Sequence, residues 1–95
     1  MEKESKRIVV TVIGKDEVGI VARVATALAE NRINIIDINQ KILGDEIFAM
    51  TLLADRMDST LSLPDIAARL QESVKDMQLK VTVQDTEVFQ YMHRV

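Results

Sequence analysis

Apolar and polar residues along this chain repeat with two different periods, and the changes of period mark its elements. Residues 1–6 form a polar tail, and from Arg7 to Ile13 nearly every position is apolar or β-branched. That run predicts a strand ending at Gly14 and covered on both faces. From about Val18 to Asn31 the residues Ile20, Val21, Val24, Ala25 and Leu28 recur at helical spacing, with Arg23, Thr26 and Glu30 on the opposite side. An amphipathic helix is expected there, kept slim and strongly helical by its alanines and ended by Asn31 and Arg32. Asn34 to Leu43 alternates, placing Ile36, Ile38 and Ile42 on an inward face and Asp37, Asn39 and Lys41 on a wet one. Gly44-Asp45 signals a hairpin, and Ile47 to Ala54 returns as a strand. Its register stays open over residues 43–47, because a two-residue and a three-residue turn put Phe48 on opposite faces.

Asp55 to Leu61 is a polar loop. Ser62-Leu63-Pro64-Asp65 then supplies a serine cap, an acid three residues later and a proline in the first turn. The helix that follows carries Ile66, Leu70, Val74 and Met77 inward and Arg69, Glu72, Lys75 and Asp76 outward. Leu79 to Val83 alternates as a half-buried strand, and Thr86 to Val95 is expected to add a short helical turn with Val88, Phe89, Tyr91 and Met92. The order βαββαβ predicts an α+β, ferredoxin-like fold: a four-stranded antiparallel sheet with two helices on one face, plus a short C-terminal helical tail. The second sheet face then needs a cover, so a homodimer is expected, with the tail as a second cover.

Composition narrows the chemistry. With 95 residues the chain has room for one domain, and 47% hydrophobic with 28% charged residues describes an ordinary globular protein. A formal net charge of -3 argues against nucleic acid as a partner, since phosphate backbones call for a basic surface. The absence of cysteine excludes thiol chemistry and thiolate metal sites, and the charged N-terminus and short apolar runs give no signal core or membrane span. A cytoplasmic protein is the simplest expectation. The single histidine, His93, sits in the tail beside Arg94 and is read as a surface residue. No nucleophile and base pair, no ligand-spaced metal cluster and no phosphate loop is recognisable, so no enzyme activity, metal or cofactor is expected.

The stretch from Gly14 to Gln40 carries the remaining interest. A polar turn, Lys15-Asp16-Glu17, precedes a helix whose first amides and positive dipole end suit a small anionic ligand. A purely structural account competes with it: Asp16 caps the helix and Gly19 packs close to a strand. Gly14-Lys15-Asp16-Glu17-Val18-Gly19-Ile20, the helix Val-Ala-Arg-Val-Ala-Thr-Ala-Leu-Ala-Glu and the run Asn34-Ile35-Ile36-Asp37-Ile38-Asn39-Gln40 together resemble an ACT domain. The likeness is closest to the small stand-alone ACT proteins similar to glycine-cleavage regulators. It divides the chain into a tail over 1–6, a domain over 7–86 and a C-terminal tail over 87–95, expected to be helical and packed on the dimer. Many ACT domains carry Arg-Pro before the glycine where Glu17-Val18 stands here, which should leave this loop less rigid.

The resemblance implies a non-catalytic regulatory module whose ligand, an amino acid or similar small metabolite, sits between two subunits. One subunit's loop, Gly14, Asp16, Glu17, Val18, Gly19 and Ile20, would face the other's Asn34, Ile35 and Asp37. Asp16 and Asn34 match the polar side chains and Gly19 and Ile20 the backbone donors. A zwitterion suits this arrangement, with its carboxylate on the helix-start amides and its ammonium against Asp16 or Asp37. The alternative is a dimeric interaction regulator that acts on a partner protein without a small-molecule ligand.

Overall fold

The computed structural model describes residues 6–87, arranged as β1 (Arg7–Lys15), α1 (Ile20–Glu30), β2 (Asn34–Leu43), β3 (Ile47–Asp55), α2 (Leu63–Ser73) and β4 (Leu79–Asp85). The strands form one antiparallel sheet in the order β2-β3-β1-β4, with β1 paired to both β3 and β4. This is the ferredoxin-like βαββαβ arrangement expected from the periodicity. Nearly all of the expected C-terminal tail, including His93, lies outside the described residues.

The core forms where the helices meet the sheet. On β1, Ile8, Val10 and Val12 are fully buried and stand opposite Ala54, Leu52 and Met50 of β3, and Val10 and Val12 also face Val83 and Val81 of β4. Ile20, Val24, Ala27 and Leu28 of α1 and Ile66 and Leu70 of α2 close over them. Small Ala27 is buried where the sequence pointed to Ala25, which is half-buried. The other face of β1 is mixed, with Val9 buried, Thr11 half-buried and Ile13 exposed.

The start of α2 follows its sequence: Ser62 Oγ accepts from the Asp65 N–H at 3.1 Å, and Pro64 stands in the first turn. Helix α2 stops at Ser73, so Val74 is buried as its C-cap and Met77 reaches the core from beyond the helix. Helix α1 ends in a Schellman turn, in which the Ile33 N–H donates to the Leu28 carbonyl at 2.9 Å and the Arg32 N–H to the Ala29 carbonyl at 3.0 Å. Arg32 occupies the left-handed position of that turn, at φ 61°, where glycine is the usual residue.

Two features of the β2–β3 hairpin settle or correct the sequence reading. Leu43 pairs with Ile47, leaving a three-residue loop of Gly44, Asp45 and Glu46 that places Phe48 on the buried face beside Gly14. The expected inward face of β2 does not exist: Ile36, Ile38 and Ile42 are exposed, Ile42 at 55%, and only Ile35 is half-buried. The physical reason is twofold. The ladder passes from Ile35↔Ala54 directly to Asp37↔Leu53, so Ile36 bulges out unpaired and the alternation inverts there. Strand β2 also stands at an edge of the sheet, with β3 as its one neighbouring strand among the described residues.

Candidate functional site

The loop between β1 and α1 is held by its backbone and open at its side chains. The Lys15 N–H donates to the Gln78 carbonyl at 3.0 Å and the Asp16 N–H to the Glu46 carbonyl at 2.8 Å, tying the loop to the residue before β4 and to the hairpin. Lys15, Asp16, Glu17 and Gly19 are exposed, and Val18 stands at 97% exposure, an apolar side chain without cover among the described residues. Gly19 is the N-cap of α1, its carbonyl accepting from the Arg23 N–H at 3.0 Å, and no side chain caps the helix. Asp16 therefore does not play the capping role that the structural account offered it. The first amides of α1 are therefore left without a side-chain acceptor among the described residues.

Glycines 14 and 19 have different physical reasons. A Cβ on Gly14 would lie 2.1 Å from the Gln78 carbonyl oxygen, so its missing side chain serves the close approach of β1 to the start of β4. Gly19 has nothing within 4 Å of such a Cβ and adopts φ 94°. It does not pack against a strand, and the left-handed backbone is what selects glycine. Gly19→Ala is expected to lower stability by about 1 kcal/mol, and Gly19→Asn by less, because asparagine tolerates this region. Equal urea midpoint losses for the two variants would refute the backbone explanation.

Asn34, Ile35 and Asp37 lie at the far end of the sheet. Asn34 pairs with Asp55, which pairs with Arg7, whereas Gly14 pairs with Phe48 near the other end of β1. A nine-residue strand puts these ends about 25 Å apart, so one protomer does not bring the loop and Asn34 together. Ile35 packs against the core, and Asp37 is exposed, with its Oδ1 accepting from the Ile38 N–H at 2.9 Å. Asn34 is exposed and lines a groove.

That groove, of about 660 Å³, was not foreseen from sequence and lies away from the loop. Residues 30–34 at the end of α1 and the start of β2, residues 57–61 and Arg69 of α2 form its walls, the first of these far in the chain from the other two. A smaller groove of about 340 Å³ runs from Gly19 along Arg23, Thr26 and Glu30 toward Ser73. Arg23 spans the helices there, donating to Asp76 Oδ1 at 2.7 Å, to Asp76 Oδ2 at 3.1 Å and to the Ser73 carbonyl at 3.1 Å. The Arg23 hydrogen bond holds the Asp76 carboxyl below its ordinary range, and Asp76 in turn raises the guanidinium. Both side chains are solvent-exposed, so the pair orients the helix ends more than it stabilises the fold. Among the described residues no three histidine, cysteine or acidic side chains gather as a metal site, and no helix is long and apolar enough to cross a membrane.

Comparison with known proteins extends these observations. A family model described as the ACT domain matches residues 6–84. A UPF0237 protein of Methanocaldococcus jannaschii is 40% identical over 89 residues, covering 94% of this chain and 98% of that one. Among solved structures, an ACT domain protein from Streptococcus pneumoniae superimposes with a TM-score of 0.76 at 30% identity, covering 90% of this chain and 96% of that chain. The ligand-free regulatory subunit of aspartate kinase from Thermus thermophilus shares the fold, with a TM-score of 0.66 at 20% identity over 86% of this chain and 52% of that one.

Proposed function

Because this chain belongs to the ACT domain family, we propose that it is a non-catalytic, cytoplasmic regulatory module that binds an amino acid or similar small metabolite between two copies of itself. The observation that carries the reading is the loop mouth. An uncapped helix start, a backbone pinned at Lys15 and Asp16 and a Val18 at 97% exposure lie together, without a cover among the described residues. The amides of Gly19 and Ile20 suit a carboxylate, and Asp16 suits an ammonium group. Asn34 is remote from the loop within one protomer, so its share in the site requires a second copy. Apolar Ile38, Ile42 and Leu43 along β2 support such a pairing, because an uncovered apolar edge favours association.

The test is thermal unfolding against a panel of the free amino acids, run beside sedimentation. A ligand at a hundred times its dissociation constant should add about 2.7 kcal/mol, and Asp16→Ala or Asn34→Ala should remove that gain without dissociating the dimer. A monomer at high micromolar concentration would refute the shared site. A dimer that no amino acid stabilises would leave the exposed β2 edge as the functional surface and favour the interaction regulator.

A further inference from the structure

We propose that the groove between the end of α1, residues 57–61 and Arg69 is a second binding site, complete within one protomer, for a small organic monocarboxylate with an apolar body. Its volume, about 660 Å³, is large enough to admit a small molecule. Two arginines, Arg32 and Arg69, line it. Arg69 is held in position: its Nη1 donates to Asn31 Oδ1 at 2.9 Å, and Asn31 Nδ2 donates to the Ala27 carbonyl at 2.7 Å. That contact uses one of five guanidinium donors and orients the rest, which favours the planar fork that a carboxylate accepts.

The backbone supports the same conclusion independently. Three non-glycine residues among those described have positive φ, and two of them, Arg32 at 61° and Met57 at 55°, line this groove. Arginine stands at a helix-ending position where glycine would fit without strain, so its side chain is kept there despite the conformation. Met57 and Leu61 supply apolar wall for the body of the ligand. Glu30 and Asp58 also line the groove, so a polyanion such as phosphate would meet two carboxylates there, whereas a single carboxylate needs only the Arg69 fork.

The probes are hexanoate, hexan-1-ol and inorganic phosphate, followed by amide chemical shifts of the full chain at millimolar concentration. Hexanoate should move the amides of Arg32, Asn34, Ser59 and Thr60, while hexan-1-ol and phosphate leave them in place. Arg69→Gln should weaken hexanoate about tenfold, by loss of a charge-assisted contact. Arg32→Gly separates binding from folding, since it should weaken hexanoate without lowering the urea midpoint. Asp16→Ala should leave hexanoate binding unchanged, which keeps this site distinct from the loop mouth. Absence of shifts at the groove, equal response to hexan-1-ol or phosphate, or undiminished affinity in Arg69→Gln would overturn the proposal.

Discussion

Leu28→Asp is expected to destabilise the domain by several kcal/mol, enough to abolish its cooperative unfolding at room temperature, while Glu30→Ala two residues later changes the urea midpoint little. Leu28 is 0% exposed and lies between α1 and the sheet, where an aspartate would be either a buried unpaired charge or a protonated acid stripped of water. Its carbonyl also receives the Asn31 and Ile33 amides that close the helix, so displacement of the side chain would disturb the Schellman turn as well. A small domain has only about 5–15 kcal/mol to lose. Glu30 is exposed and offers no comparable burial. Far-ultraviolet circular dichroism in urea measures both variants, and matching midpoints would show that the buried side of α1 has been assigned wrongly.

The second large effect is expected at Gly14. In Gly14→Ala the new Cβ would meet the Gln78 carbonyl oxygen at 2.1 Å and Leu79 Cα at 2.9 Å, and both obstacles are backbone. No rotamer relieves that clash. Strands β1 and β4 must separate, and the Lys15 to Gln78 hydrogen bond with them, at a cost of about 3 kcal/mol or more. Gly44→Asn is the control, since Gly44 at φ 53° has nothing within 4 Å of its would-be Cβ and asparagine accepts that conformation. Hydrogen exchange should show the Lys15 amide exposed in Gly14→Ala and protected in Gly44→Asn. A Gly14→Ala midpoint as high as the wild type would mean that the two strands close differently from the geometry described.

These glycines also show where sequence stops being legible. Helix α2 could be read residue by residue because its signals are local: Ser62, Pro64 and Asp65 act within one turn of each other. Strand β2 could not, because the bulge at Ile36 and its position at the edge depend on how Ala54 and Leu53 are already engaged by β1. Gly14 and Gly19 look alike in the chain, yet one yields space to a carbonyl 64 residues away and the other supplies a backbone angle. The loop from Gly14 to Ile20 was recognisable from the order of its residues. Its distance from Asn34 emerged only from the strand order, and the groove at Arg32 and Arg69 needed three segments to fold first.

The bulge at Ile36 has a consequence for solubility. A continuous exposed edge is a template on which chain after chain can add without limit, and β2 is long and exposes Ile36, Ile38, Ile42 and Leu43. The unpaired Ile36 interrupts the regular spacing of outward-facing donors and acceptors, so an arriving strand finds an unbroken ladder only from Asp37 to Leu43. Any chain that adds to this edge must therefore be short or carry a matching interruption, which admits a defined pair and obstructs a growing fibril.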